Sequence, residues 1–194
     1  MNNPINRRWG DLLIAEHIAL QVLSNYGFVA SESQIIESQN RVFLEYNRID
    51  RVGRYGRRGT SSLSGIAAFI GEGGGSWSNA MGKAKGYFSA RDIDIVERIY
   101  NFGLAISNTD MHFGNISFFV KRNLPFELAP IYDMLPMYYA PKSDGTLQNE
   151  ALASIPPTQE SRTMAKEFWQ MTIANASISA SFKLIAQKNI DALS

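Results

Sequence analysis

Apolar residues recur every three or four positions in several long stretches of the chain, a spacing typical of amphipathic helices that bury one face. The first stretch carries a broad apolar stripe, and Gly27 is well placed to end it. Another stretch begins at Ser89 with a capping-box-like start. The pattern predicts long helices at 10–26, 89–106, 159–175 and 179–193, and a short helix at about 60–70.

Shorter apolar runs, bounded by turn-forming residues, predict β-strands. Gln39-Asn40 is a suitable turn between the first two runs, which could then form a hairpin. Pro130 ends the last run because proline has no amide hydrogen to donate to a strand ladder. The predicted strands span 28–38, 41–46, 116–120 and 126–129. Together, these elements predict a mainly α fold with short β hairpins (α+β), in a single domain over residues 1–194.

Glycine-containing segments between these elements are predicted to be loops. Segment 47–59 carries five arginines and three glycines. It could contact phosphate or a partner, or it could be a solvated loop whose arginines pair with nearby carboxylates. The glycine-rich segment 71–76 lacks the Gly-Lys-Ser/Thr ending of a Walker loop, and Ser76 stands where the kinase-type Gly-x-Gly-x-x-Gly pattern requires glycine. It is predicted to be a flexible surface loop, followed by irregular structure at 76–88.

Composition sets few further limits. The 194 residues suffice for one domain, and 45% hydrophobic with 19% charged content is ordinary for a soluble globular protein. The net charge of +1 gives no global field, so no direct nucleic-acid binding is expected. The absence of cysteine excludes disulfides and thiolate metal sites and fits the cytoplasm, the expected location. No apolar run approaches the ~20 residues that span a bilayer, and the N-terminus has no apolar signal-peptide core.

Polar residues are concentrated at 107–115, directly before the strand predicted at 116–120. The spacing from Asp110 to Asn115 equals that in the protein-kinase catalytic loop, His-Arg-Asp-x-x-x-x-Asn. In that loop the Asp accepts the proton of the attacking hydroxyl, while the Asn and a later Asp hold magnesium on the phosphates. Here the later residue would be Asp133, which the predicted hairpin returns beside Asn115. Because amide and carboxylate oxygens suit magnesium, the pattern favours phosphoryl transfer from ATP.

Two other interpretations are compatible with the same residues. Asx turns alone could explain Asn108, Asp110 and Asn115, because Asn and Asp are common loop formers. A metal-dependent hydrolase is also conceivable, but the chain has only His17 and His112 and no paired His motif, so zinc hydrolysis has little support. His112 belongs to the candidate catalytic loop, where bonding the loop backbone is expected ahead of a general-base role.

The chain resembles the C-terminal kinase lobe of HipA-like toxins, which are serine/threonine kinases of bacterial toxin–antitoxin systems, and within them the YjjJ-type branch. The resemblance covers about residues 10–140 and is specific because separated motifs occur in the right order. The motifs are Asn108-Thr109-Asp110-x-His112-x-x-Asn115-Ile116-Ser117, Leu128-Ala129-Pro130-x-Tyr132-Asp133, and Phe43-Leu44-Glu45-x-x-Arg48-x-Asp50-Arg51. The third motif resembles the family's segment after the interlobe hinge, and Glu16 resembles the glutamate that pairs with the ATP-binding lysine.

The resemblance implies a role for each of these residues. Asp110 would be the catalytic base, and Asn115 and Asp133 would hold Mg²⁺. The hinge that meets the adenine of ATP, largely through its backbone, would be formed by Leu44, Glu45 and Tyr46. The target would be a protein hydroxyl, in this family typically on an aminoacyl-tRNA synthetase, and the usual partner is a small DNA-binding antitoxin.

One feature departs from the family pattern. The first lysine in the chain is Lys83, so no lysine precedes Glu16. The family's N-terminal strands and their serine-glycine-rich phosphate loop are not found either. We therefore expect a C-terminal piece of a longer kinase that lacks the ATP-lysine lobe and has very low activity alone. Two hypotheses follow: the catalytic lobe of a HipA-like kinase, or a truncated, inactive module that binds an antitoxin or a target protein.

Overall fold

A computed structural model describes residues 3–39, 41–71, 74–84, 86–152 and 157–193. The described residues form α1 (Pro4–Asn25), α2 (Leu63–Ile70), α3 (Trp77–Lys83), α4 (Ala90–Ala105), α5 (Gln159–Ala174) and α6 (Ala180–Ala192). They also form β1 (Ser33–Ser38), β2 (Arg41–Tyr46), β3 (Arg51–Val52), β4 (Gly56–Arg57), β5 (Thr60–Ser62), β6 (Ser117–Phe119) and β7 (Glu127–Leu128). Helices with short antiparallel sheets confirm the predicted fold class. The predicted turn residue Asn40 and part of the loop at 71–76 lie outside the described residues.

Helix α1 is longer at its start than predicted. It begins at Pro4 rather than at residue 10, and Asn3 caps it by accepting the Ile5 N–H at 2.8 Å. Asn6, Arg7 and Arg8 make its first turns mostly polar, so the stripe of apolar residues does not mark them as part of the helix. Arg8 lies in this part of the helix, is buried, and donates to the Tyr139 carbonyl at 3.1 Å. Arg8 can occupy a buried position that an apolar residue would usually fill, because its guanidinium group is hydrogen-bonded.

The hairpin predicted within 28–46 is confirmed. Strands β1 and β2 pair in antiparallel fashion, starting with Ser33 opposite Tyr46. The first part of the predicted strand does not join this pair. Instead, Ala30 forms an isolated parallel bridge with Ile131. The segment after α1 therefore makes backbone hydrogen bonds with a distant part of the chain, a pairing that local strand propensity does not indicate.

A second sheet has the strand order β5-β6-β7. The predicted pairing of its last two strands is confirmed, with Phe118 opposite Leu128. The prediction that the short helix begins at Thr60 is wrong, because β5 pairs with β6 before the helix starts. Ser62 then caps α2, and its hydroxyl accepts the Gly65 N–H at 3.3 Å. The partner strand lies more than fifty residues away along the chain, so the local sequence does not indicate that a strand precedes the helix here.

The prediction of irregular structure over 76–88 is also wrong in part. Helix α3 occupies Trp77–Lys83, and the Ser76 side chain caps it. Trp77 is buried, and its ring meets Tyr100 of α4 edge-on, with 5.4 Å between the ring centroids. Packing of one large aromatic residue stabilises a helix of only seven residues that propensity alone would not favour.

Helices α4, α5 and α6 lie where they were predicted, and Ser89, Thr158 and Ser179 cap their N-termini. Their apolar faces pack with α1 into one core. Its largest fully buried side chains include Trp77, Phe102, Phe118, Tyr139, Phe168, Trp169 and Phe182. No helix in the described part of the chain is long and apolar enough to cross a membrane.

Candidate active site

Helix α4 delivers the polar loop to the site. The Asn108 N–H donates to the Gly103 carbonyl at 2.9 Å, and Ser107 adopts a left-handed φ of 65°. The chain thus reverses and lays Met111 against the helix. A Cβ on Gly103 would overlap Met111 Sδ, so any larger residue at this position would require the Met111 side chain to move. The loop is therefore supported by the rigid helix that precedes it.

The polar side chains of the loop hold it closed. Asn108 Oδ1 accepts the Asp110 N–H at 3.1 Å, which is an Asx turn. Asn115 Nδ2 instead reaches across the loop and donates to the Asp110 carbonyl at 2.8 Å. The Asp110 carboxylate is exposed and accepts no hydrogen bond from any residue in the described ranges. The Asx-turn interpretation thus holds for Asn108 and does not account for Asn115.

His112 contacts the backbone of its own loop. Its Nδ1 accepts the Gly114 N–H at 3.0 Å, and its carbonyl accepts the Asn115 N–H at 3.0 Å. The same carbonyl also accepts the Trp77 indole N–H at 3.1 Å. These contacts fix the backbone between Asp110 and Asn115. A catalytic role for His112 stays a prediction.

Tyr132 joins the loop to the segment that carries Asp133. Its hydroxyl donates to the Gly114 carbonyl at 3.0 Å and lies 2.7 Å from the Ser117 hydroxyl oxygen. Because Asp133 is the next residue, this pair of contacts sets its position relative to Asn115. Tyr132 thus connects the segment that carries Asp133 to the end of the loop that carries Asn115.

Asp133 lies in a partly buried, negatively charged setting. Burial raises the pKa of its carboxyl, the Asp110 carboxylate raises it further, and His112 lowers it. The electrostatic coupling to both loop residues means that they lie close to Asp133. Its φ of 56° falls in the left-handed region, which a non-glycine residue adopts only when its surroundings hold it there.

Glu16 approaches Asp133 from α1. It is only 6% exposed and accepts a hydrogen bond from the Tyr46 hydroxyl. Burial raises the pKa of Glu16 to about 7, and the nearby Asp133 carboxylate also raises it. The Tyr46 hydroxyl and the backbone amides of Asp133 and Met134 lower this pKa, but by less. The pKa of the Tyr46 phenol is raised by burial and by Glu16. The predicted lysine-pairing glutamate thus bonds a tyrosine and faces the Asp133 backbone.

A cleft of about 600 Å³ opens beside these residues. It has the volume of a small-molecule site. The lining residues are Glu16, Ser31, Tyr46, Asn47, Arg48, Ile49, Asp50, Thr60, Ser117, Tyr132 and Asp133. Asp133 is therefore the member of the predicted catalytic set that lines the cleft, whereas Asp110, His112 and Asn115 are not among its lining residues.

The predicted hinge only partly borders this cleft. Tyr46 is a lining residue, whereas Leu44 and Glu45 are not among the lining residues. Leu44 is half-buried in the β1–β2 pair, and the exposed Glu45 side chain accepts a hydrogen bond from Gln34. The strip of backbone that borders the cleft begins at Tyr46 and continues to Asp50, after β2 ends.

The oxygen atoms beside Asp133 fit a hard divalent cation. Asn115 uses its side-chain nitrogen for the Asp110 carbonyl, and its Oδ1 accepts no hydrogen bond from the residues that the structure describes. The Asp133 carboxylate accepts no hydrogen bond from the part of the chain that the structure describes. Among the same residues, no three His, Asp or Glu side chains form a metal-binding group by themselves. A cation here would therefore depend on the amide oxygen and on oxygens from a bound phosphate.

Sequence reasoning missed two supports of the site. Tyr132 was part of a motif, but the partners of its hydroxyl lie 18 and 15 residues away in sequence, so no local pattern indicates them. Trp77 bonds a loop that follows it by 35 residues. The only signal was the pairing of a capping serine, Ser76, with a large apolar residue after it.

The sequence matches the family model of the HipA-like C-terminal domain over residues 3–192. The chain belongs to this family. The predicted resemblance is thereby confirmed. Toxin YjjJ of Escherichia coli (strain K12) is 39% identical, in an alignment that covers 95% of this chain and 44% of the toxin. The chain thus spans less than half the length of this curated relative.

Two solved structures are similar in fold. HipA from Shewanella oneidensis MR-1, in a complex with HipB and operator DNA, superposes with a TM-score of 0.56 at 15% identity, covering 94% of this chain and 55% of HipA. The Helicobacter pylori proinflammatory kinase CtkA superposes with a TM-score of 0.53 at 10% identity, covering 98% of this chain and 79% of CtkA. At these identities the likeness establishes the fold, which is kinase-like, as predicted.

Proposed function

We propose that this HipA-like domain is the catalytic lobe of an ATP-dependent serine/threonine protein kinase, a toxin of a toxin–antitoxin system. It would transfer the γ-phosphate of ATP to a hydroxyl of a protein substrate. The observation that supports this most is the contact of Tyr132 with Gly114 and Ser117. It holds Asp133 next to the loop that carries Asp110 and Asn115, at the border of a cleft large enough for a nucleotide.

Each of the three oxygen-bearing side chains has a role in this proposal. The Asp110 carboxylate, exposed and without a hydrogen-bond partner among the described residues, would orient the acceptor hydroxyl and take its proton. Asn115 Oδ1 and the Asp133 carboxylate would hold Mg²⁺. When bound, the cation would neutralise charge on the phosphates as transfer proceeds. Positioning and charge neutralisation are the main requirements of this reaction.

The nucleotide would lie in the 600 Å³ cleft. The segment from Tyr46 to Asp50 would meet the adenine through its backbone, since it borders the cleft where Leu44 and Glu45 do not. The predicted hinge is thus shifted toward the end of β2 in this proposal. Glu16 would act beneath the phosphates by holding the Asp133 backbone.

Partners follow from the family. The HipA structure from Shewanella contains HipB, so we propose that a small DNA-binding antitoxin binds this protein or the longer protein that it represents. The substrate would be a protein, with an aminoacyl-tRNA synthetase as the first candidate. Both assignments concern the whole protein, of which this chain covers 44% in the E. coli relative.

The test is calorimetric titration of the chain with Mg²⁺-ATP. We expect Asp133→Asn to weaken binding by at least about tenfold, because one of two cation ligands loses its charge. Asp94→Asn, on the exposed face of α4, removes the same charge away from the cleft and should bind like the wild type. Asp110→Asn should bind the nucleotide and lose transfer. Equal affinity of the Asp133 and Asp94 variants would contradict the proposed site.

One observation favours a second candidate, a module that binds an antitoxin or target protein without catalysing transfer. Within the described residues, Glu16 contacts Tyr46 and backbone amides and no lysine or arginine. The cation that would hold the ATP phosphates is therefore not supplied beside Glu16. Absence of Mg²⁺-ATP binding by the wild-type chain, together with capture of the antitoxin, would favour this second candidate.

A further inference from the structure

A short arm projects from the border of the cleft. It consists of residues 51–58, with β3 and β4 as its two strands, and we call it the arginine arm. Its root lies between Asp50 and Thr60, both of which line the cleft. The Arg58 N–H donates to the Asp50 carbonyl at 2.9 Å and closes the root. The arm is thus a small β-ribbon held at its base.

Some of the arginines in this region are neutralised as the solvated-loop interpretation expects. Asp50 accepts two hydrogen bonds from Arg48, at 2.9 and 2.8 Å, and lies 3.7 Å from Arg51. Arg58 pairs with Glu127 at 3.0 Å. Local carboxylates therefore account for the arginines at the root of the arm.

The outer part of the arm is different. Arg57 stands directly opposite Arg51 across the ribbon. Like charges in register repel each other, and Arg57 makes no ion pair or hydrogen bond with a side chain in the described residues. Arg54, in the turn, lies over the ring of Tyr55, with 5.2 Å from its guanidinium carbon to the ring centroid, and has no carboxylate partner among the residues that the structure describes. The protein thus holds two arginines without carboxylate partners on one small ribbon.

An aromatic ring accompanies these charges. Tyr55 is 82% exposed and presents a face to solvent next to Arg54. Glycine is required beside it, since a Cβ on Gly56 would clash with the Val52 carbonyl oxygen. The arm therefore combines guanidinium groups, an exposed ring and a close-packed backbone turn. Guanidinium groups bind phosphates in a planar, forked geometry, and exposed rings stack on unpaired bases.

We propose that the arginine arm binds single-stranded nucleic acid, with Arg54 and Arg57 on the phosphates and Tyr55 stacked on an unpaired base. The net charge of +1 argued against nucleic acid for the chain as a whole, but that sum hides the local excess. An acidic protein segment would also meet the arginines, yet it would leave the exposed ring of Tyr55 without a stacking partner. The inference does not depend on the proposed kinase activity.

The test is fluorescence anisotropy of the chain with labelled single-stranded RNA and DNA of about 12 nucleotides, a length that one small module can contact. The arm variant carries Arg54→Gln and Arg57→Gln. Its matched control carries Arg91→Gln and Lys166→Gln, which remove the same charge elsewhere. At about 50 mM salt, we expect the arm variant to bind at least tenfold more weakly than the control. Its slope of log affinity against log salt should be shallower by about 1.4.

A second pair of variants tests stacking without changing charge. Tyr55→Ala should weaken binding about tenfold, whereas Phe69→Ala, which removes an equally exposed ring from α2, should not. Circular dichroism and Mg²⁺-ATP titration of each variant separate loss of fold, or loss of the cleft, from loss of the arm. Three outcomes would overturn the proposal: equal binding by the arm and control variants, full binding by Tyr55→Ala, or polyglutamate of equal charge competing as well as the oligonucleotide.

Discussion

Glu16 should make the stability of this protein fall as the pH rises from about 4.5 to about 7. Burial and the Asp133 carboxylate raise its pKa from 4.5 to about 7 in the native state. Between these two pKa values, the native state holds a proton that the unfolded chain has released. The free energy of unfolding therefore decreases as pH rises through this window, and the loss is complete above the native pKa.

The size of the effect follows from the shift. Each pKa unit is worth about 1.4 kcal/mol, so a shift from 4.5 to about 7 corresponds to about 3 kcal/mol. Glu16→Gln keeps the shape of the side chain and an oxygen that can accept the Tyr46 hydroxyl, but it has no charge to bury. At about pH 4 the two proteins should have similar stability, and at about pH 8.5 the variant should be more stable by about 3 kcal/mol.

The measurement is urea unfolding, followed by circular dichroism, at several pH values across this range. The matched control is Glu97→Gln, which removes a charge from the exposed face of α4 and should track the wild type at every pH. The informative quantity is the difference between the wild type and each variant, since the other carboxyls are common to both. A difference for Glu16→Gln that stays constant with pH would refute the reasoning, because it would show that Glu16 has the same pKa in the native and unfolded states.

Two further changes test the supports of the site. Tyr132→Phe removes the hydroxyl that bonds the loop, so it should lower the free energy of unfolding by about 1 kcal/mol and weaken Mg²⁺-ATP binding in calorimetry. Tyr87→Phe is the control, and equal nucleotide affinity of the two variants would contradict a positioning role for Tyr132. Gly103→Ala should lower the melting temperature because its Cβ would overlap Met111, whereas Gly82→Ala, within α3 and open to solvent, should raise stability by about 0.5–1 kcal/mol. A Gly103 variant as stable as the wild type would show that the loop can move away from the helix at little cost.

The sequence predicted those parts of the fold that local chemistry determines. The three helices after residue 88 carry both an apolar period and a capping serine or threonine, and they form where predicted. The β1–β2 hairpin has its two strands adjacent in sequence. The errors lie where the partner is distant: β5 pairs with β6, and Ala30 bridges to Ile131. Strand pairing across such separations leaves no period in the sequence to read.

The candidate site divides in the same way. The spacing from Asp110 to Asn115 can be recognised in the sequence because both residues belong to one short loop, which the hydrogen bond from Asn115 to the Asp110 carbonyl closes. Tyr132 shares a motif with Asp133, but the use of its hydroxyl cannot be read from the motif. The lysine that pairs with this glutamate in the family was expected to be absent, and Glu16 bonds Tyr46 in the described structure, a contact that the sequence did not indicate. The sequence therefore indicated candidate residues for the site, but it did not indicate which atoms their side chains contact.

The geometry of the site rests more on backbone than on the side chains that define its motifs. Ser107 and Asp133 both adopt left-handed φ angles, at 65° and 56°. Such conformations cost free energy for non-glycine residues and persist only where neighbouring contacts hold them. The Ser107 carbonyl accepts the Tyr138 N–H at 3.1 Å, while Glu16 faces the Asp133 amide. The 107–115 loop and the Asp133 segment are thus each held by such contacts, which offset the strain at these two residues.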